Sequence, residues 1–88
     1  MRYVRAIVEG VVQGVGFRWA TAERARELEI EGYARNLADG RVEVGMAGEE
    51  SRVTALLEWL EQGPPSACVS GVTSEELEAQ SWQGFTTG

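Results

Sequence analysis

Apolar residues recur along this chain with a strand-like alternation in some stretches and a helical spacing in others, and the order of those stretches predicts a fold. Tyr3 to Glu9 is rich in β-branched residues, with Val4, Ala6 and Val8 on one face and Tyr3, Arg5 and Ile7 on the other. That pattern predicts a strand with one buried face. From Phe17 to Glu29 the chain turns to alanine, glutamate and arginine. Phe17, Ala20, Thr21, Ala25 and Leu28 form a narrow apolar stripe there, while Glu23, Arg24, Arg26 and Glu27 are left for water. Gly32 to Asn36 reads as a short extended piece, Leu37-Ala38-Asp39-Gly40 carries an Asp-Gly turn signal, and Arg41 to Ala47 alternates Val42, Val44 and Met46 against Arg41, Glu43 and Gly45. These two pieces predict a hairpin.

The cleanest helical pattern follows, with Val53, Leu56, Leu57 and Leu60 on one face. It stops at Gly63, which accepts a left-handed terminus, and at Pro64-Pro65, which cannot continue a helix. Ala67 to Thr73 predicts another strand. The tail from Ser74 is acidic and polar until Trp82 and Phe85, which read either as a final short strand or as isolated anchors. The order β-α-β-β-α-β predicts an α+β, ferredoxin-like sandwich, with two helices on one face of an antiparallel sheet and room for an extra short C-terminal strand. Length is consistent with residues 1–88 forming one domain around a single modest core. That fold hosts many functions and selects none.

Charge and composition narrow the chemistry. The net charge is −6, with 8 basic against 14 acidic residues, which disfavours nonspecific binding to nucleic acid or an anionic membrane. An anion site must therefore be local. Every basic residue is an arginine, read here as a compositional habit, and histidine is absent. Imidazole metal sites, Ser-His-Asp and Cys-His pairs and the usual general base near neutral pH are thereby removed from these residues. Cys68 is the sole cysteine; it reads as a small buried apolar residue, and the chain suits a reducing compartment. Met1 to Ala6 carries no leader-like apolar region and no stretch approaches membrane-spanning length, so the expected setting is cytoplasmic.

One stretch offers positive chemistry. In Gly10-Val11-Val12-Gln13-Gly14-Val15-Gly16-Phe17-Arg18, glycines bring backbone N–H groups close to a ligand, the next helix contributes unpaired N–H groups, and Arg18 adds a permanent planar charge. Physically this is an oxyanion cradle suited to phosphate. Spacing alone rates an anion site and a plain turn equally, because neither the Walker nor the dinucleotide pattern is present. Asn36, at the end of an extended piece, reads first as a turn residue. Its amide also has the donors and acceptor needed to hold a water and direct it at an electrophile.

Here the sequence resembles the acylphosphatase family. Val8 to Arg18 is similar to the family's first signature, Gly32 to Val44, continuing to Gly48, to its second, and Gly63-Pro64-Pro65-Ser66-Ala67 to a further feature before the late strand. The resemblance implies metal-free, cofactor-free hydrolysis of the carboxyl-phosphate bond of acyl phosphates to a carboxylate and inorganic phosphate. It also implies roles: phosphoryl binding by Arg18 with the loop Gln13, Gly14, Val15, Gly16 and Phe17, and orientation of the attacking water by Asn36. The implied partner is a small acyl phosphate, with no nucleic acid or membrane, and the protein is expected to be a monomer. A carboxylate leaves without a general acid, since its conjugate acid has a pKa of roughly 4, so the lack of histidine suits this substrate.

Two departures from the pattern stand beside this. Val11 occupies a loop position where many relatives carry a polar or basic residue, and the end of the chain from Trp82 lacks clear apolar alternation. Arg35 and Arg41 read as solvated surface charges, and Trp19 and Trp59 as half-buried or rim residues. Competing readings are a noncatalytic anion-binding or RNA-binding module, and the equivalent domain of a larger carbamoyl-transfer maturation protein. The RNA version lacks a basic surface and paired aromatics on the sheet, and the larger protein would need flanking domains.

Overall fold

β1 (Arg2–Val11), α1 (Phe17–Glu27), β2 (Glu31–Asn36), β3 (Val42–Gly48), α2 (Glu50–Gln62), β4 (Cys68–Glu76) and β5 (Phe85–Thr87) follow one another in the computed structural model, which describes residues 1–87. They form one sheet in the order β4-β1-β3-β2-β5. β1 is antiparallel to β3 and β4, and β2 to β3, as the ferredoxin-like expectation requires. The extra short C-terminal strand is present, and it makes the five-stranded sheet mixed. β5 runs parallel to β2, from Gly32 opposite Phe85 to Ala34 opposite Thr87, because the tail leaves β4 at one edge and returns along the other.

α1 packs on β2 and β5, and α2 on β4, β1 and β3. Val4, Ala6 and Val8 of β1, Ala34 of β2, and Val42, Val44 and Met46 of β3 meet Phe17, Ala25, Val53, Leu56 and Leu60 in one core. α1 ends two residues before the predicted Glu29. Glu29 takes the left-handed φ of 57°, its N–H donates to the Arg26 carbonyl (3.1 Å), and the Ile30 N–H donates to that of Ala25 (2.8 Å). This is a Schellman closure with glutamate where glycine is usual, and Ile30 and Ala25 supply its buried apolar contact. α2 ends as predicted, with the Gly63 N–H on the Trp59 carbonyl at 2.8 Å.

β3 departs from its predicted alternation, since every one of its residues is buried. It is the central strand, with helices on one face and Tyr33, Arg35 and Arg5 covering the other. Glu43, only 4% exposed, accepts hydrogen bonds from the Tyr33 hydroxyl (2.9 Å) and Arg35 Nε (2.7 Å), with Arg5 at 3.9 Å. Cys68 also corrects its prediction. It is exposed, because it begins the edge strand β4 and the neighbouring Val69 and Ala67 pack on the core in its place. β4 runs on to Glu76 despite its acidic sequence, as Glu75 pairs with Arg5 and Glu76 with Arg2 (2.8 Å). Both readings of the tail hold in part: Phe85 opens a strand, while Trp82 stands edge-on to the Tyr33 ring at 5.4 Å.

Candidate active site

The cradle residues lie between the end of β1 and the first turn of α1, apart from Gly10, which sits within β1 where its pairing with β4 shifts register. Gly14 (φ 76°) and Gly16 (φ 77°) are both left-handed. An added Cβ at either would meet nothing within 4 Å, so it is backbone angle and not crowding that calls for glycine. Left-handed residues at alternate positions are the backbone pattern from which anion-binding nests are built. Gly16 is also the N-cap of α1, with no side-chain cap and no acidic residue in the first turn. The helix start therefore keeps its positive end and unpaired N–H groups.

Side chains brace this loop from three directions. Gln13 Nε2 donates to the Leu37 carbonyl (2.8 Å) and the Arg41 carbonyl (2.9 Å) of the β2–β3 turn. Ser66 Oγ donates to the Val15 carbonyl at 2.7 Å, giving the Gly63-Pro64-Pro65-Ser66 segment a local task. Phe17 is buried, its ring 6.1 Å from that of Trp59.

Gly14, Gly16, Phe17 and Arg18 line one shallow depression of about 180 Å³, together with Val12, Trp19 and Thr87. Gln13 and Val15 are not part of its wall; their hydrogen bonds to the β2–β3 turn and to Ser66 brace the loop. Among the described residues, every arginine except Arg18 lies within ion-pairing distance of a carboxylate. Arg35 and Arg41, read from sequence as solvated, pair with Glu43 and Asp39, each at 2.7 Å. Asp39 accepts from the Arg41 backbone N–H and from its guanidinium, which hold its carboxyl below the usual value.

Asn36 is the last residue of β2 and is exposed. It pairs with Val42, which in turn pairs with Val8, so Asn36 lies at the end of the sheet from which β1 runs on toward the loop. Directly paired residues share a face, so Asn36 stands on the helix side with Val42. Its amide does not line the depression, and the link between the two regions is the bond from Gln13 to Leu37, the residue after Asn36. Thr87 is the wall residue that sequence reading missed. Only the parallel docking of β5 on β2 brings it there, and no local signal in the tail announces that pairing.

Among the described residues, no group of His, Cys, Asp and Glu is placed to hold a metal ion, and no helix is long and apolar enough to cross a membrane.

Comparison with known proteins places these features in context. The acylphosphatase family model matches residues 4–87. An acylphosphatase of Pseudomonas aeruginosa is 54% identical over 82 residues, 93% of this chain and 90% of that protein. Among solved structures, an acylphosphatase from Coxiella burnetii superposes with a TM-score of 0.95 at 38% identity, over 99% of this chain and 92% of that one. One from Bacillus subtilis superposes with a TM-score of 0.96 at 31% identity, over 100% of this chain and 99% of that one.

Proposed function

The chain belongs to the acylphosphatase family and is a hydrolase of acyl phosphates, and from that premise we propose how its residues divide the work. The phosphoryl group rests on the loop from Gln13 to Phe17 and against Arg18. The N–H groups of the left-handed turn and the helix start meet its oxygens, and the guanidinium neutralises charge on them. Asn36 orients the water that attacks phosphorus. The P–O bond to the acyl group breaks, the electron pair leaves with the carboxylate, and the water's proton passes to solvent.

Phosphoryl transfer needs positioning and charge stabilisation more than covalent help, so a preorganised nest and one arginine suffice. A carboxylate leaving group needs no acid, and the reading assigns no metal or cofactor. An alkyl phosphate ester, whose alkoxide must be protonated, fits these residues poorly. The single observation that carries the reading is the free Arg18 guanidinium, beside Gly14 and Gly16 in one depression, without a carboxylate partner among the described residues. An arginine held beside N–H donors and away from carboxylates is arranged for an anion that arrives from solution.

The reading takes residues 1–88 as one domain, acting as a monomer in the cytoplasm. A net charge of −6 favours solubility, and the single exposed thiol of Cys68 suits a reducing compartment. The direct test is release of inorganic phosphate from acetyl phosphate with a chelator present. Turnover by the wild type and its loss in Arg18→Ala are the expected results. Phosphate binding without turnover of any acyl phosphate would make the site a noncatalytic anion module and overturn the proposal.

A further inference from the structure

Trp19 is 67% exposed, one of few large apolar side chains left open to solvent among the described residues. It is the third residue of α1, and the helix turns Phe17, Thr21, Ala22 and Ala25 inward, leaving Trp19 on the outer side. No described aromatic ring stacks on it, since the close ring pairs are Phe17 with Trp59 and Tyr33 with Trp82. Yet it lines the same depression as Gly14, Gly16 and Arg18.

We propose that Trp19 is the specificity-determining wall for the acyl end of the substrate, and that the site favours acyl phosphates carrying a flat, apolar acyl group. The inference rests on the hydrolytic reading above, because a phosphoryl group held by the loop and Arg18 fixes where the acyl group starts. Beyond the glycines and Arg18 the remaining walls are Val12, Phe17, Trp19 and Thr87, and of these only Trp19 and Thr87 are exposed, so they are the walls toward solvent that the acyl group would meet. An indole offers a broad apolar face at little entropic cost, and covering it with a flat ring removes apolar area from water on both partners. A depression of about 180 Å³ holds a phosphoryl group and a small substituent, below the roughly 300–1,000 Å³ of sites for drug-sized ligands. The inferred class is therefore small aromatic or short planar acyl groups, and not long chains.

The test compares kcat and KM for benzoyl phosphate and acetyl phosphate in the wild type, Trp19→Ala and Trp19→Phe, with thermal melts of each. Trp19→Ala should lower the preference for benzoyl over acetyl phosphate about five- to tenfold, the size expected for an aromatic pair. The loss should appear in the KM for benzoyl phosphate, while acetyl phosphate stays within about twofold and Trp19→Phe recovers most of the preference. If Trp19→Ala proved too unstable to assay, Trp19→Leu against Trp19→Phe decides the same point, with the preference expected to follow the flat ring. An unchanged ratio, or an equal loss on both substrates, overturns the role of Trp19 while leaving the hydrolytic reading intact. No turnover of either substrate by the wild type overturns both.

Discussion

Gln13 reaches out of the β1–α1 loop and donates from Nε2 to the carbonyl of Leu37 at 2.8 Å, tying the loop proposed to hold the phosphoryl group to the residue that follows Asn36. The same nitrogen donates to Arg41 at 2.9 Å. One amide therefore sets the spacing between the two halves of the proposed site.

Gln13→Ala should loosen that spacing and leave two turn carbonyls to water. The expected loss of stability is small, about 1–3 kcal/mol for two part-buried hydrogen bonds, and kcat should fall by about tenfold or more because positioning carries the reaction. Urea denaturation and acetyl phosphate kinetics on the same samples separate the two effects. A variant that loses stability but keeps kcat would limit Gln13 to a structural brace.

Arg18→Ala should cost activity and not stability, since the guanidinium has no carboxylate partner among the described residues. By analogy with single oxyanion-stabilising donors the loss is about 3–4 kcal/mol, or a hundredfold to a thousandfold in kcat. Arg18→Lys keeps the charge without the planar fork and should recover part of it. Initial rates at saturating acetyl phosphate test this directly.

Asn36→Ala should lower kcat by at least tenfold while changing inhibition by inorganic phosphate little, because the proposed role concerns the attacking water and not the phosphoryl group. Competitive inhibition constants for phosphate, measured beside kcat, provide the check. Parallel losses in both would move Asn36 into phosphate binding.

The pH dependence of stability should follow the cluster on the open face of the sheet. Burial alone would raise the Glu43 carboxyl, but the hydrogen bonds from Tyr33 and Arg35 and the charges of Arg35 and Arg5 outweigh it and hold it below its usual 4.5. A depressed acid contributes stability that is present above 4.5 and lost as pH falls through its lower folded value. Tyr33 moves the other way. Burial first, then its bond to Glu43, pushes it up to about 12, so its contribution is present below its usual 10.0 and lost as pH climbs from there to about 12. Thermal melts across pH should show both limbs, with Glu43→Gln flattening part of the acid limb and Tyr33→Phe part of the alkaline one.

Phe17→Ala should cost about 3–5 kcal/mol because the ring is buried against Trp59 and the Gly63 turn. It should also lower kcat/KM in molecules that remain folded, since Phe17 anchors the helix start that carries Arg18. Phe17→Leu should retain more of both, as read by urea midpoints and assays at low temperature.

The outcome for each element follows from how local its cause is. Val53, Leu56 and Leu60 announce a buried helix face, and Gly63-Pro64-Pro65 its end, because helical spacing and backbone angles are properties of neighbours in the chain. Glu29 hides the end of α1, since its left-handed turn is stabilised by Ile30 closing on Ala25 and not by a glycine. Burial of Glu43 and Gly45 was equally hidden, for it depends on β3 being central and on Tyr33, Arg35 and Arg5 covering its second face. Cys68 is the converse case: its apolar neighbours suggested burial, and its place at the start of an edge strand exposes it.

By itself the sequence determined the first six elements and their order, and it singled out the glycine-rich loop, Arg18 and Asn36 as candidates, because motif spacing and short-range periodicity are written along the chain. Tertiary structure alone decided what stands beside that loop. Gln13 bonds across to Leu37, Thr87 arrives on a strand that returns to the far edge, and Trp19 turns its exposed ring to the depression. These neighbours are distant in sequence or set by the direction a helix faces, and only packing of the whole sheet against its helices brings them together.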